Sequence, residues 1–323
     1  MVVQLGIIGY QNHAKRLISL TENNPKCNLQ YIFHPNKKID DKRGTNNLKD
    51  LLICDAIIIS SPNSTHFEYI KKLSNFSGYI FCEKPPVTNL VELKKLKQLD
   101  RNKQRKIFFN FNYRFSELNK LLKTSSNSKK LGQIIDIRIT ASQGLAFKRE
   151  YPKSWRANGK TNKHNLLETV AIHYLDLIIK NFGIMKHQSY FPRNISKNGT
   201  SYDTIQLILT YDNFNVSILN SYTTPFVGEL EIIGTNGYLS IKNNLLKIHT
   251  PRNTFNKNNH FITPPVVLRK KFNIQKDYVM SLKKSFDFFI SHAFKKKSFE
   301  KELFETSLLT TQLILENQIS KKK

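Results

Sequence analysis

The residues best placed to do chemistry begin at Gly9. An apolar run from Val2 to Ile8 ends in Gly9, Tyr10, Gln11, Asn12, His13 and Ala14, where a G-x-G-x-x-G/A phosphate-binding turn would lie. In such a turn the first glycine allows the tight reversal and the second keeps a Cβ out of the path of the pyrophosphate. The third lets helix and strand pack closely, and alanine serves there as well. Gly9 and Ala14 meet two of these requirements; Gln11 stands in place of the second glycine. The amino terminus of the following helix would still offer N–H groups and a positive dipole to a phosphate. About 20 residues on, at the end of the second strand, an acid usually holds the ribose 2′-hydroxyl. His34 occupies that place, with Lys37 and Lys38 close behind. The missing acid weakens an NAD reading, and a histidine with two lysines leans toward the 2′-phosphate of NADP. A solvated loop with incidental lysines accounts for them equally well.

These residues need a scaffold, and the first 110 positions supply its pattern. Strand-like segments at 2–9, 29–34, 55–60, 78–82 and 106–111 alternate with helical stretches at about 12–22, 45–52, 64–75 and 89–102. Asn63 or Ser64 is the expected cap of the third helix, and Thr88 or Asn89 of the fourth. This alternation predicts βαβ units, a doubly wound parallel sheet, and a ligand crevice at the carboxyl ends of the strands. After the polar break TSSNSKK at 124–130 the rhythm changes. A strand at 133–142 and a helix at about 165–181 precede strands at 203–211, 214–222, 229–234, 237–242 and 245–249. Short connections between these strands predict an open, mainly antiparallel sheet. The proline-bearing stretch 251–272 reads as a long irregular loop, and two helices close the chain. The last carries Phe299, Leu303, Phe304, Leu308, Gln312 and Ile314 near one packing face. The expected fold class is therefore α/β, with a dinucleotide-binding domain over 1–120 and a substrate-binding and dimerisation domain over 121–323. The final helices can return to the first domain.

Composition bounds the function classes. With 39% hydrophobic and 23% charged residues in 323, the chain has enough apolar material for two cores. Apolar runs such as DAIIIS at 55–60 are far too short to span a membrane, and no signal peptide is apparent. Cys27, Cys54 and Cys82 suggest no disulfide framework, and Cys54 and Cys82 lie in or beside strands as buried thiols. A reducing cytoplasm is the expected location. The net charge of +27 would attract phosphates and acidic surfaces. The lysines, however, are scattered as pairs along the whole chain, with no aromatic-basic ladder or reading motif, so dedicated nucleic-acid binding is not expected. The nine histidines form no HxH or HxxxH pair, and no metal site is expected.

Three further segments carry a resemblance. SSPNSTH (60–66) follows the third strand, EKPPVTN (83–89) follows the fourth, and NYRF (112–115) ends the first half. Together with SWR (154–156) and HYLDL (173–177), in this order, the chain resembles the Gfo/Idh/MocA oxidoreductases, typified by glucose–fructose oxidoreductase and inositol dehydrogenase. That resemblance implies an NAD(P)-dependent oxidoreductase acting on a sugar, polyol or sugar nucleotide. It implies that Ser61, Pro62, Asn63 and His66 line the nicotinamide-ribose side of the cofactor and that Glu83 helps hold the ribose. Lys84 would point at the reaction centre, with Lys84–Pro85 a candidate cis bond; Pro85 and Asn112 join the cofactor set. Tyr113, Arg114, Trp155 and Arg156 would shape the substrate pocket, where arginine suits a carboxylate or phosphate. A homo-dimer or homo-tetramer is implied by the family's use of its open sheet.

Hydride leaves a carbinol carbon for the nicotinamide only if the hydroxyl proton is removed or shared, so a positioned acid or base must reach that oxygen. Lys84 and His173 are the implied pair. Helical spacing places Thr169, His173 and Asp176 along one stripe. The family's aspartate four residues before the histidine is Thr169 here, Glu168 is one position out of register, and Lys163, His164 and Asn165 replace the usual glycines. These departures, with Gln11 and the missing acid near His34, support an alternative: a member without turnover that senses a ligand or serves as a scaffold.

Overall fold

The computed structural model describes residues 2–320. Two compact units divide the chain: one up to Phe115 together with Ser281–Glu316, the other Ser116–Met280 with the residues after Glu316.

The first unit is built on a six-stranded parallel sheet. Its elements are β1 (Val3–Ile8), α1 (Asn12–Glu22), β2 (Cys27–Phe33), β3 (Gly44–Thr45), β4 (Ala56–Ile59), α2 (His66–Lys72), β5 (Tyr79–Cys82), α3 (Leu90–Lys97), α4 (Arg101–Gln104) and β6 (Ile107–Phe109). The order is β3-β2-β1-β4-β5-β6, doubly wound about β1 as the alternating pattern predicts. Every residue of β4 and β5 is buried, because a parallel sheet covered on both faces needs continuous apolar runs. Helix α1 turns Ala14, Leu17, Ile18 and Thr21 inward.

Some local expectations change. The helix expected at 45–52 is the short strand β3 followed by a 3-10 turn at Leu48–Ile53. Neither Asn63 nor Ser64 caps α2: a 3-10 turn at Asn63–Thr65 precedes it, and the Thr65 N–H bonds back to the Pro62 carbonyl at 2.9 Å. Asn89 does cap α3, accepting from the Glu92 N–H. The helix expected over 89–102 stops at Lys97, and Asp100 starts α4 by accepting two backbone N–H groups.

The second unit contains α5 (Glu117–Ser125), β7 (Ile134–Ser142), α6 (Gly159–Asn162), α7 (Ile172–Phe182), β8 (His187–Arg193), β9 (Thr204–Thr210), β10 (Asn215–Ser221), β11 (Val227–Gly234), β12 (Tyr238–Lys242), β13 (Leu245–His249) and β14 (Val266–Lys271). Its eight strands run β14-β13-β12-β11-β7-β10-β9-β8. All neighbours are antiparallel except β7 and β10. Strict alternation along β9 buries Ile205, Leu207 and Leu209 on one face, as a sheet with one covered face requires. The loop expected over 251–272 ends in β14, whose six residues are all exposed, and β8 adds an edge strand that the sequence reading lacks. Helix α7 is preceded by a π-helical turn at Leu167–Ala171, so the helix expected from 165 to 181 is not uniformly α.

Two long helices follow, α8 (Ile274–Lys295) and α9 (Lys301–Ser320). The part of α8 within the first unit sets Phe286 and Phe289 against Phe81, with ring centroids 6.4 and 5.3 Å apart. Phe299, Phe304, Leu308 and Ile314 are all buried. Among the described residues no helix is long and apolar enough to cross a membrane.

Candidate active site

The carboxyl edge of the parallel sheet gathers the cofactor residues anticipated in the first unit. Gly9 leaves β1 at φ +110°, and a Cβ there would lie 2.5 Å from the Ser60 carbonyl oxygen. Glycine is thus required both for the backbone angle and for the contact between the ends of β1 and β4. Gln11 is different. It takes φ −84° as the residue before α1, with its side chain exposed, a conformation open to any residue. Its carbonyl accepts the Lys15 N–H at 3.0 Å, the first bond of α1. The local backbone therefore accommodates the missing glycine without strain. Tyr10 is half-buried, with the Lys15 ammonium 5.1 Å from its ring centroid, and Asn12 is exposed. Ala14 is fully buried against the sheet.

His34 builds its own turn. Its Nδ1 accepts the backbone N–H groups of Asn36 and Lys37 at 3.2 and 3.1 Å, while Lys37 and Lys38 are exposed.

The segment after β4 and the segment after β5 are tied by His66. This ring is wholly buried, with Nδ1 2.8 Å from the Pro85 carbonyl and Nε2 3.0 Å from that of Ser61. Burial, the largest influence, pushes its pKa below the usual histidine value despite the two carbonyls. The role fits a brace between two backbones, a part that the motif alone did not disclose. Thr65 Oγ1 donates to Ser61 Oγ at 2.7 Å. Pro62 is exposed, and Asn63 is half-buried with an Nδ2 that is buried yet bonds to no acceptor.

Glu83 lies just past β5 and is 7% exposed. Burial would raise its pKa, but His13, the Asn110 hydrogen bond and the Lys84 charge outweigh it and hold the carboxyl below its ordinary value. His13 Nε2 lies 2.8 Å from Glu83 Oε1, and Asn110 Nδ2 donates to the same oxygen at 2.7 Å. Neither His13's link to Glu83 nor Asn110 was legible as a contact in the sequence. Lys84 is half-buried, the Lys84–Pro85 bond is cis, and Pro85 is buried.

Further along, Asn112 and Arg114 face inward. Asn112 Nδ2 donates to Ser281 Oγ of α8 at 2.7 Å. The Arg114 guanidinium lies 4.9 Å from the Phe111 ring centroid and donates to the Leu303 carbonyl of α9. Both residues thus fasten the terminal helices to the edge of the sheet. Tyr113 between them is half-buried.

In the second unit, His173 and Asp176 lie on α7 and are buried, at 7% and 1% exposure. Thr169 sits inside the π-helical turn, where its Oγ1 donates to the Asn165 carbonyl at 2.7 Å and lies 3.3 Å from Tyr222 Oη. The turn closes through the Ile172 N–H to the Leu167 carbonyl, an i→i+5 bond that accommodates one extra residue. Glu168, five before His173, therefore precedes it by the repeat of this turn. Its Oε1 accepts Gln318 Nε2 at 2.8 Å. Trp155 is 46% exposed, with the Arg156 guanidinium 4.5 Å from its ring centroid. Among the described residues no group of three or more His, Cys, Asp or Glu side chains is arranged to hold a metal ion.

Comparison with known proteins bears on the fold. Residues 3–111 match the family described as "Oxidoreductase family, NAD-binding Rossmann fold". The chain is similar to glucose-6-phosphate 3-dehydrogenase of Bacillus subtilis, 26% identical over 184 residues, covering 54% of this chain and 52% of that protein. It is also similar to myo-inositol 2-dehydrogenase of Thermotoga maritima, 29% identical over 87 residues, 27% of this chain and 26% of that one. The chain thus spans about half the length, or less, of these curated relatives. Among solved structures, an Agrobacterium radiobacter oxidoreductase in complex with NAD+, L-tartaric acid and magnesium shares the fold at a TM-score of 0.77. That pair is 15% identical, with 98% of this chain and 97% of the other covered. The myo-inositol 2-dehydrogenase of Lactobacillus plantarum shares it at 0.74, with 17% identity and 99% and 97% coverage. The family match thus covers the parallel sheet, and the fold match nearly the full length of the chain.

Proposed function

We propose that the chain binds a nicotinamide dinucleotide at the carboxyl edge of its parallel sheet and oxidises or reduces a secondary alcohol or ketone of a sugar, polyol or sugar nucleotide. The observation that carries this reading is the meeting of three separate segments at that edge. Gly9 closes against Ser60, Asn63 has a buried donor with no protein partner, and Glu83 is a buried carboxylate held ionised. Buried polar groups without partners are rare and suit a ligand that supplies them. Gly9 and the first turn of α1 would hold the pyrophosphate, and Ser61, Pro62, Asn63, Glu83, Pro85 and Asn112 would frame the nicotinamide half. His66 keeps the two framing loops at fixed distance.

The bound dinucleotide supplies a hydride acceptor or donor. The protein must move a proton at the substrate oxygen, and Lys84, next in the chain to the buried Glu83, is the proposed group. His173 is proposed as a second acid–base residue in the other unit, with Thr169 and Asp176 as supporting groups. Tyr113, Trp155 and Arg156 are proposed to contact substrate. His34 and Lys37 would favour NADP over NAD, and a homo-oligomer working in the cytoplasm completes the reading. The test is a titration with NADH and NADPH followed by nicotinamide fluorescence, then turnover of a sugar panel by wild type, Lys84→Ala and His173→Ala. Binding with turnover that falls at least about 100-fold in Lys84→Ala supports the reading, the scale of a general acid–base contribution. Failure to bind either cofactor overturns it.

One observation favours a second reading, a member that binds but does not turn over. At the position of the family's aspartate, Thr169 offers a hydroxyl that donates to the Asn165 carbonyl. Cofactor binding without turnover across the whole panel would select this reading.

A further inference from the structure

His13 lies in the first turn of α1, yet its ring reaches across to the end of β5. Its Nε2 is 2.8 Å from Glu83 Oε1. The same oxygen accepts Asn110 Nδ2 at 2.7 Å, and Asn110 is itself held by Ser285 Oγ of α8, which donates to Asn110 Oδ1 at 2.6 Å. Four side chains thereby form one hydrogen-bonded chain from the glycine turn, past the ends of β5 and β6, to α8. Both bonds to the carboxylate end on Oε1; among the described residues none ends on Oε2. The His13 side chain is 36% exposed and that of Glu83 only 9%.

A carboxylate oxygen has room for about two good donors. With Oε1 filled by two donors, one of which, Asn110, is itself held by Ser285, the carboxylate plane is set and Oε2 is the acceptor that remains. It sits at the carboxyl edge of the sheet, where doubly wound folds receive their ligands.

We infer that His13 is a positioning residue for the dinucleotide: with Asn110 it pins Oε1 of Glu83, so that Oε2 is the oxygen offered to a hydroxyl of the nicotinamide ribose. The fingerprint makes no demand on the residue before its third small position, so this gives His13 a task that the motif does not specify. The inference rests on the cofactor reading above and names the acceptor geometry within it.

The experiment titrates NADH and NADPH against wild type, His13→Ala, His13→Gln, Glu83→Gln and the double variant His13→Ala/Glu83→Gln, with ADP as a competing probe. Loss of one bond to a charged acceptor predicts about tenfold weaker NAD(P)H binding in His13→Ala. His13→Gln, whose amide can still donate to Oε1, recovers most of it. ADP, which lacks the second ribose, competes equally well against wild type and His13→Ala. In the Glu83→Gln background the His13→Ala change costs nothing further, as coupled residues in one network require. Unaltered NAD(P)H affinity in His13→Ala overturns the inference while leaving the cofactor reading standing. Equal weakening of ADP and NADH, or a His13→Ala effect that persists undiminished in Glu83→Gln, also overturns it, by making His13 a direct phosphate contact or a general support of α1. Wild type that binds neither cofactor overturns the cofactor reading and this inference together.

Discussion

Replacing Gly9 by alanine tests the most demanding local geometry in the first unit. At φ +110° an alanine is strained wherever it sits, and here its Cβ would also lie 2.5 Å from the Ser60 oxygen, 2.9 Å from the Ser60 carbonyl carbon and 3.2 Å from the Ser61 nitrogen. These are backbone atoms, so no side-chain rotation relieves the overlap. The backbone angle costs about 1–3 kcal/mol, and moving the ends of β1 and β4 apart adds about 1–2 kcal/mol, in the range of an overpacked core. Gly183→Ala supplies the control: its φ is +78°, but nothing lies within 4 Å of the added Cβ. Thermal unfolding of the two variants separates strain from collision. A loss of roughly 3 kcal/mol corresponds to about 6–12 °C in a unit of this size, and Gly183→Ala should lose no more than about half of that. If Gly9→Ala unfolds within 2 °C of Gly183→Ala, on the scale of about 1 kcal/mol or less, the close approach to Ser60 does not matter and the account of this turn is wrong.

Other outcomes follow from the same edge. Gln11→Gly should leave stability within about 0.5 kcal/mol, because Gln11 already has an ordinary φ and makes no side-chain cap bond; a loss above about 1.5 kcal/mol in denaturant unfolding would contradict this. His66 has its pKa lowered by burial from 6.5, so the unfolded chain binds a proton first as the medium is acidified. The stability this group permits is therefore complete above about pH 6.5 and lost as pH falls below it. Unfolding midpoints from pH 7.5 to 5.5 should fall more steeply for wild type than for His66→Gln, and parallel slopes would refute the assignment. Burial pushes the Cys27 and Cys54 thiols up to about 11 and that of Cys82 well above 9.0, so a thiol reagent at pH 8 should label none of the three until denaturant is added. Rapid labelling of the native protein would count against their placement.

What could be read in advance divides by the kind of signal. The apolar runs of β1, β4 and β5 stand out because a parallel strand covered on both faces must be apolar at every position. β8 and β14 do not: β8 contains Pro192 and β14 ends in Arg269, Lys270 and Lys271, as exposed edges tolerate. Asn89 was recognisable as a cap, whereas Asn63 and Ser64 have capping chemistry that the 3-10 turn leaves unused. At the site, segment order gave the resemblance, but long-range side-chain bonds leave no periodic trace. The link from His13 to Glu83 spans 70 positions and that from Asn110 to Ser285 spans 175. Gln11 shows the converse: it breaks the motif in letter while its backbone keeps an unstrained entry to α1.

The π-helical turn at Leu167–Ala171 has a consequence for chain length. Removing one residue from it would let an uninterrupted α-helix close, since the wider turn holds one residue more than an α-turn. Each α-helical residue carries the chain through about 100° and 1.5 Å. A single deletion there would swing the stretch before it, including Trp155 and Arg156, around the axis relative to His173 and Asp176, while leaving α7 itself intact. The turn is thus a place where a change of one codon re-aims the residues proposed to meet substrate without rebuilding the helix that bears the proposed acid–base residue.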